Sequence, residues 1–335
     1  MTPRIGLCPG DPAGIGSELV AKLLADPRQA QAAILVVGDP DHVARGQKIA
    51  GTDIALRAVE DEAAIDLQPG RPTLLVRRLP GAADYPLGKA QAEGGRYCLD
   101  CLGTLSDLER AGRLDAFCFA PLNKSAMKLG GIGHADEMHW FAERLGYRGH
   151  VAELNVLDGL WTSRVTSHVA LRDVADMITV DRVLDAIDLI SGTLKRAGRA
   201  RPKIAVAGLN PHAGDNGAFG REEIDVLTPA IEKSRAAGND VSGPYSPDTM
   251  FLTARKLGQD AIVTMYHDQG QIALKALGFD RGISVMGGLP SNIATPAHGT
   301  AYDIAGKGIA DTGAFFAAFD LALEMGTAAR RRAAA

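Results

Sequence analysis

The sequence predicts an α/β protein of two α/β/α domains, each with a mainly parallel sheet. Three observations support this prediction. Short apolar runs alternate with longer amphipathic segments along nearly the whole chain, as in folds whose parallel strands are joined by helices. The length of 335 residues suits about two domains rather than one. Glycine is frequent, at 39 residues, and it clusters at the turns between apolar runs, which is typical of enzyme loops that approach a ligand closely.

The first half of the chain predicts four strands and two longer helices. Each strand is a short apolar run, and each helix has apolar residues at a 3.6-residue period. The second helix carries Cys98 and Cys101, which we interpret as small core residues one turn apart, because no second cysteine pair exists to complete a zinc site. The predicted strands are residues 5–7, 33–37, 73–76 and 116–120, and the predicted helices are residues 17–25 and 90–111.

The second half repeats the alternation, and two interruptions of the pattern suggest domain boundaries. Pro, Gly and His interrupt it near residues 121–145, and a Gly-Gly-Leu-Pro sequence interrupts it near residues 285–295. We therefore predict a first domain of residues 1–140 plus 291–335, and a second domain of residues 141–290. The predicted helices here are residues 180–197, 221–237, 248–256 and 312–325.

Three strand-like runs of the second domain each lead to a histidine, namely His168, His212 and His267. The runs are residues 164–168, 204–208 and 261–267. Ligands bind parallel α/β sheets outside the carboxyl ends of the strands, so these imidazoles are candidates for one metal site. Three protein ligands would leave positions open for substrate oxygens, as in catalytic zinc sites. We predict such a site, with Asp215 and Asp268 nearby. Four further histidines in polar stretches, which we interpret as surface residues, are His42, His134, His139 and His150.

Other segments carry polar residues to the predicted strand ends. Gly10 to Gly16 follows the first strand with the spacing G-x3-G-x-G, which differs from the dinucleotide-binding G-x-G-x-x-G, and predicts a tight turn that presents Asp11. Lys124 closes the fourth predicted strand; it is either a solvated lysine or a group that binds an anion or moves a proton. Residues 298–310 form a polar loop with several glycines, long enough to wrap a ligand.

Charge and hydropathy argue against nucleic-acid and membrane partners. The formal net charge is −4, and the basic residues form no stripe. The sequence begins with no signal-peptide pattern, and no apolar run approaches the ~18 residues of a membrane span. We expect a cytoplasmic protein. The basic run Arg330 to Arg332 is interpreted as a solvated, frayed chain end.

Taken in order, these motifs resemble the 4-hydroxythreonine-4-phosphate dehydrogenase family over essentially the whole chain. The 298–310 loop also resembles the adenosine-binding loop of isocitrate and isopropylmalate dehydrogenases, and the resemblance implies their fold. The matching segments are Gly10-Asp11-Pro12-Ala13-Gly14-Ile15-Gly16, Ala120-Pro121-Leu122-Asn123-Lys124, Leu209-Asn210-Pro211-His212-Ala213-Gly214, Gly243-Pro244 with Pro247-Asp248-Thr249, Tyr266-His267-Asp268-Gln269-Gly270, and the 298–310 loop.

The resemblance implies a homodimeric dehydrogenase that depends on NAD and a divalent metal. It would oxidise a secondary alcohol of a small hydroxy acid to a ketone and release a neighbouring carboxylate as CO2. Zinc is the first choice of metal, with cobalt, manganese or magnesium as alternatives, and NADP is the alternative to NAD. His168 and His212 would bind the metal beside His267 of the partner subunit. The other residues expected in the shared active site are the catalytic Asp248, Asp268, Lys275 and Lys124, and the cofactor-binding Gly288, His298, Gly299 and Asp303.

The expected substrate pocket departs from the family pattern, and two substrate classes therefore stay open. A Lys, an Asn and an Arg hold the substrate phosphate in the family; here they align with Lys275, Ser284 and Ile293. Replacing Arg by Ile removes a bidentate phosphate clamp. An unphosphorylated acid, such as the ring diol carboxylates of terephthalate dihydrodiol dehydrogenases, is the alternative. The other substrate-binding candidates are Glu137 and Met138, aligned with a His-Thr pair, and Arg281 as a carboxylate anchor.

Two other functional classes are weaker alternatives. A non-catalytic binding or regulatory relative would have no need for all three histidines together with Asp248, Asp268 and Lys275. A metal-dependent hydrolase would use the histidines, but it would leave the adenosine-type loop without a purpose.

Overall fold

The computed structural model describes residues 2–278 and 281–334. The chain forms two compact units, Met1–Arg148 with Leu289–Ala335, and Gly149–Gly288. The predicted boundaries were 140/141 and 290/291. The first unit extends further because the helix Glu137–Arg144 runs across position 140 and buries Phe141 against Phe117 and Phe119.

The first unit is a parallel sheet with helices, which confirms the predicted α/β class. Its bounds are β1 Arg4–Cys8, β2 Ala33–Gly38, β3 Arg57–Val59, β4 Thr73–Val76, β5 Ala116–Phe119 and β12 Ile293–Pro296, with α1 Gly16–Ala25, α2 Pro40–Ala50, α3 Ala92–Arg110, α4 Lys124–Leu129, α5 Glu137–Arg144 and α11 Gly313–Ala334. The strand order is β3-β4-β2-β1-β5-β12, and the paired strands are parallel.

Helices cover both faces of this sheet. Successive side chains of a strand point to opposite faces. A Cβ atom on Gly6 of β1 would lie 2.5 Å from a methyl group of Leu105 in α3. The neighbouring Ile5 lies against Gly326 of α11, where an added Cβ would be 2.9 Å from its Cδ1 atom. Helices α3 and α11 therefore pack on opposite sides of β1.

The two cysteines of α3 are core residues, as predicted. Cys98 and Cys101 are buried free thiols. Burial raises the pKa of the Cys98 thiol well above its usual value, so the reactive thiolate is disfavoured. A redox role for this pair has no support in the structure.

The interpretation of His42 as a surface residue is wrong. His42 is fully buried in α2, and its Nδ1 atom forms a 3.2 Å hydrogen bond with the Tyr97 hydroxyl. Gly46, one turn further along, lies against the backbone of Ser17 in α1. His42 is therefore on the helix face that packs against the unit. His139 and His150 are exposed as predicted, whereas His134 is partly buried.

Burial lowers the pKa of His42 to about 3, which predicts a pH-dependent stability. Below pH 6.5 the unfolded chain binds a proton at this site and the folded chain does not, so stability falls as the pH drops toward 3. We expect His42 to cost about 3 kcal/mol between pH 7 and pH 4. Urea unfolding of the wild type and His42→Gln at both pH values measures this difference. Parallel pH dependence of the two proteins would contradict the prediction.

The C-terminal basic run is ordered as part of α11, so its interpretation as a frayed end is wrong for Arg330. The Arg330 Nε atom donates a 3.1 Å hydrogen bond to the Thr2 carbonyl oxygen and lies 3.2 Å from Asp115 Oδ2. Asp115 also binds the Arg4 guanidinium at 2.7 Å. The C-terminal part of α11 is thus fixed to the start of β1.

The second unit contains a mixed sheet of order β11-β6-β7-β10-β8-β9. Its bounds are β6 Ala152–Leu157, β7 Leu160–Arg164, β8 Lys203–Ala207, β9 Asp240–Tyr245, β10 Ala261–Thr264 and β11 Ile283–Gly287, with α6 Val174–Met177, α7 Val180–Arg196, α8 Thr228–Ala236, α9 Met250–Leu257 and α10 His267–Gly278. Strands β7, β10, β8 and β9 pair in parallel, whereas β6 pairs antiparallel with both β7 and β11. In the described part of the chain, no helix is long and apolar enough to cross a membrane.

Candidate active site

The three predicted metal histidines follow three adjacent parallel strands of the second unit. His168 comes four residues after β7, His212 follows β8, and His267 is the first residue of α10, shortly after β10. The imidazole rings of His168 and His267 lie close together, with centroids 5.4 Å apart. His212 instead lies near the Phe219 ring, at a centroid distance of 6.2 Å. Within residues 2–278 and 281–334, no three His, Cys, Asp or Glu side chains form a metal-binding group.

The backbone at two of these histidines is strained. His168 has φ 41° and His212 has φ 54°, in the left-handed region that non-glycine residues rarely adopt. After His212 the chain stays in this region through Ala213, Asp215 and Asn216, with φ values of 52°, 41° and 55°. Each such residue costs on the order of 1–3 kcal/mol and persists only where its surroundings hold it, typically at functional sites.

Glu223 is one residue that holds the strained loop. It lies in a π-helical turn, Glu223–Leu227, and is only 3% exposed. Its Oε1 atom accepts hydrogen bonds from the backbone N–H groups of Leu209 and Asn210, both at 2.8 Å. Its Oε2 atom accepts a 3.0 Å hydrogen bond from the Asn210 side chain. Glu223 therefore fixes the backbone that leads to His212.

His267 has the surroundings of a metal-binding histidine. The Asp268 carboxylate forms a 2.6 Å hydrogen bond with Nδ1 of His267, which leaves Nε2 as the ring's other ligating atom. Metal-binding histidines commonly hydrogen-bond their second ring nitrogen to a carboxylate in this way. Gln269 accepts a hydrogen bond from Met265 N and donates one to the Gly208 carbonyl, so it joins the ends of β10 and β8. These donors fit a divalent metal of the zinc type.

Of the other predicted catalytic residues, Asp248 lies near His212 and Lys275 lies further along the helix that begins at His267. The exposed Asp248 carboxylate accepts a hydrogen bond from the Ser246 hydroxyl, which lowers its pKa, and the nearby His212 contributes to the same effect. Asp248 is therefore ionised at neutral pH. Lys275 is exposed on α10, two turns after His267 and on the same helix face.

The predicted substrate contacts have different surroundings. Ser284 is buried in β11 and accepts a 3.3 Å hydrogen bond from the Asn155 side chain. Ile293 is fully buried in β12, where it pairs with β5, so it offers no surface to a substrate in this structure. Arg281 binds both carboxylate oxygens of Asp158 at 3.2 Å. In the first unit, Glu137 and Met138 are the half-buried first residues of α5, and Lys124 is the exposed first residue of α4.

The two glycine-containing loops of the first unit come together. The Tyr302 hydroxyl donates a 2.8 Å hydrogen bond to Asp11 Oδ2, and Ile15 N donates one of 3.2 Å to the Thr300 carbonyl. Burial raises the pKa values of both Asp11 and Tyr302. The predicted cofactor residues of this loop lie at its accessible side, with His298 half-buried and Gly299 and Asp303 exposed.

The fourth predicted cofactor residue, Gly288, follows β11 in the second unit. Its φ is 87°, and an added Cβ would lie 2.2 Å from the His150 carbonyl oxygen. Only glycine fits this close backbone approach. The local backbone therefore accounts for Gly288 without a cofactor contact.

Comparisons with known proteins agree on one family. A family model described as "Pyridoxal phosphate biosynthetic protein PdxA" matches residues 30–322. A Pseudomonas aeruginosa protein named "Putative 4-hydroxythreonine-4-phosphate dehydrogenase 2" is 51% identical over 327 residues, covering 97% of each chain. The D-threonate 4-phosphate dehydrogenase of Salmonella typhimurium is 38% identical, covering 97% of this chain and 99% of that protein. The crystal structure of a Burkholderia phymatum 4-hydroxythreonine-4-phosphate dehydrogenase has a TM-score of 0.85 at 35% identity, covering 97% of this chain and 98% of its own.

Proposed function

The chain belongs to the PdxA family of pyridoxal phosphate biosynthetic proteins, and on this basis we propose that it oxidises a secondary alcohol of a hydroxy acid and releases the neighbouring carboxylate as CO2. Membership makes the protein a dehydrogenase that acts on a CH–OH group, with a nicotinamide cofactor and a metal. The observation that carries the reaction is the placement of three histidines after adjacent parallel strands, one of them oriented by Asp268.

The proposed metal ligands are His168, His212 and His267, with zinc preferred and cobalt, manganese or magnesium as alternatives. When bound, the metal supplies a Lewis acid for the alcohol and ketone stages, and the nicotinamide accepts a hydride. Asp268 would hold the His267 ring in the orientation and tautomer that presents Nε2. The charged Asp248 beside His212 would take up a proton during the reaction. Lys124 is the proposed residue for binding an anionic group or for proton transfer.

We propose a homodimer in which a second copy completes the metal site. The chain alone brings His168 and His267 together but leaves His212 with Phe219 and Asp248, and no three donors group within the described residues. As the family resemblance implies, the proposed third ligand beside His168 and His212 is His267 of the partner subunit, and each chain's own His267 would then serve the partner's site although its ring lies near that of His168. The cytoplasmic location expected from the sequence stays a prediction.

The proposed cofactor site uses the two loops that Asp11 and Tyr302 join. Asp303 is exposed on the second loop, where a carboxylate favours a ribose hydroxyl over the 2′-phosphate of NADP. NAD is therefore the proposed cofactor. Lys307, also exposed on this loop, would suit NADP.

The proposed substrate is a small hydroxy acid whose anionic end binds near Lys275. Phosphorylated acids are the first candidates, because the relatives given above are named for 4-phosphate substrates. An unphosphorylated acid is the second candidate. It is favoured by the complete burial of Ile293, which gives that position no part in binding a phosphate.

The decisive experiment is NADH formation by the purified protein with zinc, cobalt or manganese. The substrates to compare are 4-phosphohydroxythreonine, D-threonate 4-phosphate, unphosphorylated D-threonate and a cis-dihydrodiol carboxylate. Metal-dependent NADH formation with release of CO2 from any of them supports the proposed reaction, and the active substrate names its class. Consumption of a substrate in the absence of NAD would contradict the proposed reaction. So would the failure of the protein to turn over any of the four substrates.

The variant Gly14→Ala tests whether the two loops joined by Asp11 and Tyr302 bind the cofactor. The added Cβ would lie 2.9 Å from both Cβ and the carbonyl oxygen of Thr300, so Gly14→Ala must displace the 298–310 loop. We expect the KM for NAD to rise about 10-fold, equivalent to about 1.4 kcal/mol. Gly192→Ala is the matched control, because its nearest atom would be a flexible arginine nitrogen at 3.8 Å. A changed substrate KM with an unchanged KM for NAD would place the cofactor elsewhere.

A further inference from the structure

Arg164, the last residue of β7, is a buried arginine that the reaction described above does not use. Its side chain is only 10% exposed. Its Nε atom donates a 3.0 Å hydrogen bond to the Ser167 hydroxyl, and Nη1 donates one of 2.8 Å to the Asn155 amide oxygen. A guanidinium has five N–H donors, so these two bonds leave most of its capacity for another acceptor.

In the described part of the chain, the ion pair that Arg164 forms is a long one. The partner is Glu153, whose Oε1 atom lies 3.8 Å from Nη2, beyond hydrogen-bond distance, and whose side chain is 49% exposed. Such a solvated contact contributes little. A buried guanidinium stays charged and is expensive to bury without an anion. Arg164 is therefore a largely buried cation whose carboxylate neighbour is distant and half exposed, and whose remaining N–H donors can bind an anionic ligand.

The neighbours of Arg164 form a polar cluster between strands β6, β7 and β11 and helix α10. We define this cluster as Arg164, Asn155, Gln271 and Ser284. The Asn155 amide oxygen accepts hydrogen bonds from both Arg164 and Gln271, and the Asn155 amide nitrogen donates to the Ser284 hydroxyl. Packing between this sheet and α10 does not require joined polar side chains, since apolar residues of similar size would pack there at no desolvation cost.

The cluster lies beside the candidate metal histidines. Ser167, which binds Arg164, immediately precedes His168, and the His168 ring is 5.4 Å from that of His267. Helix α10 presents His267, Gln271 and Lys275 at successive four-residue steps, on one face. Gln271, the middle member, touches the cluster. The helix face between His267 and Lys275 is thus joined to Arg164 through Gln271 and Asn155.

We propose that Arg164 is the specificity residue that binds the anionic group of the substrate at the end remote from the reacting carbons. The inference rests on the proposed function for the identity of the substrate, but not for the existence of the anion site. Arg164 would supply the planar, bidentate recognition that Ile293 does not, with Ser284 and Lys275 as further donors. A phosphate and a carboxylate share this chemistry, and the experiment separates them.

The first test measures anion binding without turnover. Thermal unfolding of the full-length, metal-loaded protein is followed while inorganic phosphate or acetate is titrated at constant ionic strength. The variants are Arg164→Met, the charge-retaining Arg164→Lys, and Arg172→Met as a matched control, because the Arg172 side chain is 87% exposed. We expect Arg164→Met to weaken binding of one anion about 10- to 100-fold, Arg164→Lys to weaken it less, and Arg172→Met to leave it unchanged.

Each outcome of this titration decides the proposal. A selective loss of phosphate binding assigns a phosphate group, and a selective loss of acetate binding assigns a carboxylate. Equal anion binding by Arg164→Met and the wild type overturns the proposal, and a lower melting temperature alone would then show that Arg164 only supports the fold. Absence of anion binding by the wild type overturns it as well.

Steady-state NADH formation separates this inference from the proposed function. With the substrate that the wild type oxidises, Arg164→Met should raise the KM about 10- to 100-fold and leave kcat nearly unchanged. Arg164-dependent anion binding by a protein that forms no NADH would contradict the proposed function and support the anion site. Normal NADH formation with an unchanged KM in Arg164→Met would contradict the anion site but not the proposed function.

Discussion

Replacing His212 by alanine is expected to lower NADH formation at least about 1,000-fold, because it removes one of three proposed metal ligands. Loss of a residue that merely orients a ligand already costs about 10- to 100-fold in metal affinity or activity, so loss of the ligand itself should cost more. His212 is exposed, and its removal leaves no cavity in the core. The metal content of the purified variant and its turnover should therefore fall together while the fold persists.

The backbone at His212 calls for a second variant. Its φ of 54° suits asparagine better than alanine, so His212→Asn separates loss of the imidazole from collapse of the strained loop. His150→Ala is the matched control, since His150 is an exposed histidine of the same unit. Both His212 variants should lose metal and activity, and His150→Ala should keep both. Full turnover by metal-free His212→Asn would remove His212 from the active site.

The placement of the three histidines could be predicted from the sequence because it depends on local patterns. Strand-like runs end at turns, and adjacent parallel strands end at the same edge of a sheet, so the positions of His168, His212 and His267 follow from where the runs stop. The strand ends themselves were predicted less well. Strand β7 ends at Arg164, so the run read as a strand over residues 164–168 lies almost wholly beyond it.

Side-chain partners across long sequence distances could not be predicted in this way. His42 has polar neighbours in the sequence, but the face of α2 that is buried depends on the helix beside it. Glu223 and Arg164 appear in the sequence as ordinary charged residues of amphipathic segments, and only the fold brings them to Asn210 and Asn155.

One missed element did have a local signal. Asp158-Gly159 joins β6 and β7 as a two-residue hairpin turn with φ values of 49° and 80°. Asp-Gly between apolar runs is among the strongest hairpin signals in a sequence. The antiparallel strand β6 follows from it.

Glu223→Ala should destabilise the protein more than any other single change considered for the second unit. The carboxylate is 3% exposed and accepts three hydrogen bonds, two from backbone N–H groups and one from the Asn210 side chain. Its removal leaves buried donors unpaired next to a run of left-handed residues, whose strain it helps to hold. We expect the free energy of unfolding to fall by about 3–5 kcal/mol, measured by urea denaturation.

The isosteric variant Glu223→Gln connects this stability to activity. The amide oxygen of the substituted side chain would still accept from the Leu209 and Asn210 backbone groups, but its amide nitrogen would face the Asn210 side-chain donor. The fold should then survive with a loss of about 1–3 kcal/mol, while misplacement of His212 lowers metal affinity and kcat about 10- to 100-fold. Glu232→Ala, on the exposed side of α8, is the control and should change neither. A Glu223→Gln protein that is less stable but binds metal with wild-type affinity would contradict this prediction. It would show that the loop holds His212 in place without the Glu223 carboxylate.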